Sequence, residues 1–148
     1  MKKLLLIILV LFMTGCSNKV KTATDVNSFE NVILSKGLAI NKGSTSYDNV
    51  SYITDYSQVT LGDAFEMVVY SDSEKADIVQ QGHIESFNLL KSTGAQVIKE
   101  KGKNYYSYSL ISNGRYMLST RVDNTLIFCK VLLQDKEIVD SIIKELGY

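Results

Sequence analysis

The sequence predicts an α+β domain built on an antiparallel sheet that ends in a three-stranded meander, with helices packed on one face. Three observations predict it. Asn113-Gly114 and Asp123-Asn124 are turn pairs that tolerate the positive φ a two-residue hairpin needs, so they divide Tyr105 to Val131 into three strands. Counting outward from both turns puts Ile111, Tyr116, Leu118, Val122, Ile127, Cys129 and Val131 on one face, because side chains alternate along a strand. Apolar residues at helical spacing follow Asp25, Ser71 and Lys136, all outside the meander, and this segregation of helices from strands indicates α+β rather than a parallel sheet.

Met1 to Gly15 has the layout of an export signal. Lys2 and Lys3 make a positive start, Leu4 to Met13 is an unbroken apolar run, and Thr14-Gly15 places small residues before Cys16. An apolar run of ten residues is half the roughly twenty that span the hydrocarbon of a bilayer, which argues against a retained transmembrane helix. Leu11-Phe12-Met13-Thr14-Gly15-Cys16 resembles the lipobox of bacterial lipoproteins, with Met13 where those proteins usually carry Leu. The resemblance implies that the Cys16 thiol is joined to diacylglycerol and that the signal peptide, residues 1–15, is cut away. It also implies a location on the outer side of the bacterial cytoplasmic membrane. Two acyl chains on one cysteine make a durable anchor where one alone is marginal.

Removal of residues 1–15 leaves 133 residues, enough for one domain that folds without metal or disulfide help. The full chain has 16 basic and 16 acidic residues, so losing Lys2 and Lys3 leaves a mildly acidic protein. That balance gives no argument for nucleic acid or an anionic membrane surface as partner. With Cys16 taken up by lipid, Cys129 is the only remaining thiol and closes no intramolecular bridge.

Residues 16–24 read as the lipidated cysteine and a polar tether, and residues 25–148 as a single domain. Asp25 can cap a first helix carrying Val26, Phe29, Val32 and Ile33, with Gly37 at its stop. Val50 to Ile53 and Ala64 to Tyr70 have the composition of strands, joined around Leu61-Gly62-Asp63. Ser71 and Glu74 offer a capping box for a second helix running to about Ser92, with Ala76, Val79, His83, Phe87 and Leu90 as its apolar stripe. Ile78 and Leu89 fall on the opposite side, so either a second element touches the helix there or its register differs from this stripe. Lys136 to Leu146 forms a last helix, with Ile138, Val139, Ile142, Ile143 and Leu146 suited to cover the core face. NVILSKGLAINKG beside NLLKSTGAQVIKEKG suggests an αβββ pseudo-repeat, one copy within Asp25 to Glu74 and the other within Glu85 to Lys136.

YYSYSLISNGRYMLSTRVDNTLIFCKV followed by KEIVDSIIKELGY resembles the ends of small lipoproteins of Firmicutes, in which a Tyr/Ser strand, an S-R-[IV]-D-N-T-L-I stretch and a closing K-x-L-G-Y helix recur. The match is close over the last third of the chain and looser from Phe65 to Lys91. The resemblance implies location and fold, and it supplies no catalytic residue.

Candidate chemistry is sparse. His83 is the only histidine and sits on a helix stripe without a nucleophile or further ligands, so a boundary role is expected. Cys129, on the core face, reads as a small hydrophobe. Asp48, Asp55, Asp63, Asp72 and Asp77 are scattered as caps and turns, without calcium-loop spacing. The best candidate is the second face of the meander, where Tyr106, Tyr108 and Phe128 stand beside Arg121 and Lys130, rings giving area and cations giving direction to an anionic, peptide or carbohydrate ligand. Cross-strand ring pairs that only stabilise the sheet are the plainer account of the same residues. The expected function is therefore a non-enzymatic, lipid-anchored module binding an envelope protein or cell-wall component through a solvent-facing sheet. No metal, cofactor or nucleic acid is expected. The alternative is an envelope hydrolase working through convergent carboxylates.

Overall fold

The computed structural model describes residues 18–41 and 47–148. Cys16 and the signal peptide lie outside the described residues. The chain runs α1 (Val26–Ser35), β1 (Ile53–Gln58), β2 (Ala64–Tyr70), α2 (Ser73–Leu89), β3 (Gln96–Lys101), β4 (Tyr105–Ser112), β5 (Arg115–Val122), β6 (Thr125–Leu132), a single 3-10 turn and α3 (Lys136–Glu145). All six strands form one antiparallel sheet in the order β1-β2-β6-β5-β4-β3.

The α+β class and the meander stand. Asn113 and Gly114 have φ of 51° and 71°, and Asp123 has 50°, so both turns are made by the residues that tolerate them. Register pairs Ile111 with Tyr116, Leu118 with Cys129 and Val122 with Thr125, which places the seven expected core residues on one face. That face packs on α1 and α3, where Phe29, Ile33, Val139 and Ile142 are fully buried against Phe65, Met67, Ile127 and Cys129. Each side chain so buried contributes about 1.5–3 kcal/mol. Phe29 meets Phe65 edge-on at 5.8 Å.

The helices do not share one face. Ile84 and Phe87 of α2 pack on Tyr108, Leu110 and Met117, and Ala76 packs on Val68 and Leu126, all on the reverse of the sheet. Connectivity requires the crossing, since β2 lies beside β6 while β3 is at the far edge, so the intervening helix must traverse the sheet. Its stripe is also rotated from the expected one. Gln80 and Ile84 are buried beside Ala76 and Phe87, whereas Leu90 is exposed. Ile78 and Leu89 face solvent rather than a second element. The cap moves by one residue, and Ser71 N instead donates to the O of Tyr52, the turn residue before β1, at 2.9 Å. Asp72 takes the capping role, accepting from Lys75 N at 2.8 Å.

Two further differences concern the strands and the tether. β3 extends the three-stranded meander to four, and the strand expected over Val50 to Ile53 lies instead at Ile53–Gln58, sharing only Ile53. Residues 18–24, expected as a free tether, are held: Lys21 N donates to Asn104 Oδ1 at 3.0 Å and Asn104 Nδ2 donates to Lys21 O at 2.8 Å.

The suggested duplication has a counterpart in the topology. α1, a single bridge from Ile40 to Val59, β1 and β2 form one succession, and α2, β3, β4 and β5 form the other. They flank β6, with β2 and β5 both antiparallel to it and their helices on opposite faces. Gly37 and Gly94 follow the two helices with φ of 75° and 82°.

Candidate cleft between α2 and the β3–β4 hairpin

α2 lies over the face on which the five binding candidates were expected to meet solvent, and it separates them. Tyr108 is 1% exposed, with its hydroxyl donating to Asn88 Oδ1 at 2.8 Å. Phe128 stacks on Phe87 at 5.6 Å and meets the His83 ring at 4.2 Å. Lys130 sits towards the opposite end of the sheet, where its Nζ is 3.8 Å from Asp63 Oδ2, a carboxylate that also pairs with Arg115 at 2.5 Å. The expectation of one solvent-facing sheet is thereby corrected. The apolar members of that face are what α2 needs to bury.

Tyr106 and Arg121 remain together, paired across β4 and β5. Both line a cleft of about 430 Å³ with Asp77 and Gln81 of α2 and Lys101 and Lys103 of the β3–β4 hairpin. A buried polar link fixes its floor. Gln80, with no exposed surface, donates from Nε2 to Tyr106 O at 2.8 Å and to Ser119 O at 3.1 Å, while its Oε1 accepts from Arg121 Nε at 3.2 Å. Arg121 spends its other nitrogens on Asp77 Oδ1 at 3.0 Å and Asp123 O at 3.2 Å. The guanidinium is therefore preorganised by three acceptors, two on α2 and one in the β5–β6 turn, and its charge is matched by Asp77.

The rim is differently balanced. Lys101 and Lys103 are exposed and have no carboxylate partner among the described residues, so the cleft has a cationic edge beside the Tyr106 ring. Burial pushes the Tyr106 hydroxyl above its ordinary range, which keeps it a neutral donor at physiological pH. Such a site can hold an anion against the lysines and a flat or apolar portion against the ring.

The other titratable candidates are structural in their geometry. His83 Nδ1 lies 3.3 Å from Ser119 Oγ, and burial brings the imidazole down to about 4, so it is neutral at physiological pH. Cys129 has no exposed surface, and burial pushes its thiol up to about 12. Asp48 accepts from the Tyr56 hydroxyl, Asp55 from Tyr56 N, Asp72 caps α2, and Asp63 and Asp77 are in ion pairs. Among the described residues, no three His, Cys, Asp or Glu side chains gather as metal ligands, and no helix is long and apolar enough to cross a membrane.

Sequence reasoning missed Asp77, Gln81, Lys101 and Lys103. Drawing β3 would have placed Lys101 opposite Tyr106, as it is in the register. Comparison of the chain with family models, with curated proteins and with solved structures finds no match.

Proposed function

We propose that the chain is a lipid-anchored, non-enzymatic domain on the outer side of the bacterial cytoplasmic membrane that binds an anionic envelope component in the cleft between α2 and the β3–β4 hairpin. The observation that carries this reading is the imbalance of the cleft. Asp77 is already matched by Arg121, and Lys101 and Lys103 stand without carboxylate partners beside Tyr106. Anion binding satisfies those lysines without moving the guanidinium beneath them. The anchor rests on the export-signal layout and the lipobox-like stretch before Cys16.

Of the scattered carboxylates behind the hydrolase alternative, Asp48 is held by the Tyr56 hydroxyl, Asp55 by Tyr56 N, Asp72 by the cap of α2, and Asp63 and Asp77 by separate ion pairs. A photocrosslinking side chain at exposed Gln81 tests the binding reading in intact cells. It is expected to capture an anionic adduct that disappears when Lys101→Glu and Lys103→Glu are combined. Equal capture by both proteins contradicts the assignment.

A further inference from the structure

The first described residues leave the domain at one defined place, the β3–β4 hairpin. Beyond the paired hydrogen bonds of Lys21 with Asn104, Lys103 N donates to Lys19 O at 3.0 Å. Lys21 Nζ lies 4.3 Å above the centre of the Tyr105 ring and 3.7 Å from Glu100 Oε2. Gly102 is the residue that admits this docking, since a Cβ there would stand 2.6 Å from Lys19 O and 2.1 Å from Tyr105 Cε1. The N-terminal segment is thus built into the end of the sheet that carries the Gly102–Asn104 turn and the Asp123-Asn124 turn.

The edge of that end formed by residues 18–24 and 100–104 holds four lysines against the single acid Glu100, in a chain that is acidic once the signal is removed. The acids beside that edge are engaged: Asp123 Oδ2 accepts from Asn104 Nδ2 at 3.0 Å, and Asp77 pairs with Arg121 at 3.0 Å. Lys19, Lys101 and Lys103 are exposed, and so is Val20, at 63%. Cys16 is three residues before Lys19, a reach of at most about 11 Å. An acyl chain on Cys16 therefore holds the hairpin close to the headgroup layer, within little more than the Debye length of about 8 Å.

We propose that this end of the domain seats on the anionic phospholipid headgroups of the bilayer that carries the anchor, with Lys101 and Lys103 against the phosphates and Val20 at the interface. The proposal rests on the lipid-anchored reading and deepens it by naming the anionic component at the cleft's rim. Seated this way, the sheet stands end-on to the membrane. The Asn113-Gly114 turn, at the opposite end of the eight-residue strands β4 and β5, points away by about 27 Å.

The test uses the mature acylated protein in bilayer nanodiscs doped with a headgroup-chelated gadolinium lipid, read by amide line broadening. With phosphatidylglycerol present, broadening is expected at Lys101–Asn104 and at Asp123, and not at Asn113 or Gly114. In phosphatidylcholine alone the contrast between the two ends is expected to shrink. Each lysine near an anionic surface contributes about fivefold to binding. Lys101→Glu with Lys103→Glu is therefore expected to lower the equilibrium constant for end-on seating by about 25-fold or more, at unchanged melting temperature. Equal broadening of both ends in phosphatidylglycerol discs, or a variant indistinguishable from wild type, overturns the membrane seat while leaving the anchor and the cleft adduct intact. A mass spectrum showing no acyl group on Cys16 overturns both readings together.

Discussion

Asn104 and Lys21 exchange two hydrogen bonds through the asparagine side-chain amide, at 3.0 and 2.8 Å, and this reciprocal pair joins residues 83 positions apart. A backbone N–H and C=O are thereby satisfied by one side chain, as in a strand ladder without the strand. Asn104→Ala removes both bonds, and each is worth about 0.5–1.5 kcal/mol net. The expected outcome is a loss of about 1–3 kcal/mol in a urea titration and rapid hydrogen exchange at the Lys21 amide. Unchanged protection at Lys21 contradicts the docking of the N-terminal segment.

Gln80 is the polar centre beneath α2, and its replacement separates support from binding. Gln80→Ala opens a cavity, strips Arg121 of an acceptor and is expected to cost about 2–4 kcal/mol. Arg121→Ala leaves Asp77 and the Gln80 oxygen without their partner and is expected to cost about 1–3 kcal/mol. Lys101→Ala, on the exposed rim, is expected to stay within about 0.5 kcal/mol of wild type. Chemical denaturation midpoints of the three variants check the order.

How far the sequence could be read depended on which residues bury what. The register of β4, β5 and β6 follows from two turns whose central residues accept positive φ, and it places every expected core residue correctly. β3 escaped because none of its six residues is buried, so no alternating pattern marks it, and Lys99, Glu100 and Lys101 read as a solvated loop. Such charges are what an edge strand carries to resist pairing with another chain. The stripe of α2 was misplaced for the opposite reason: Gln80 is polar and fully buried, and counting apolar residues alone rotates the helix towards Val79 and His83. The cleft drew on three separated stretches, 77–81, 101–106 and 121, whose meeting requires the helix to cross the sheet.

His83 sets the pH dependence in mildly acid solution. Its folded-state value of about 4 lies below the ordinary 6.5, so between those values the unfolded chain binds the extra proton and stability rises with pH. Lowering the pH from 7 to 4.5 is expected to cost on the order of 2–3 kcal/mol. Asp25 and Asp72 are held below the ordinary 3.8 by hydrogen bonds from backbone N–H groups of the caps, so their contribution is lost only in stronger acid. Urea midpoints across pH 4.5–7 are expected to slope for wild type and to flatten for His83→Asn. Equal slopes contradict the assignment to His83.

The most direct measurement of the central claim is metabolic labelling of bacterial cells expressing the full chain with a radioactive fatty acid. Lipid-anchored export predicts label on the wild type, which runs at the size of residues 16–148, and no label on Cys16→Ala, which stays at the size of all 148 residues. Label on the Cys16→Ala chain, or a wild type that is unlabelled and uncut, contradicts the account.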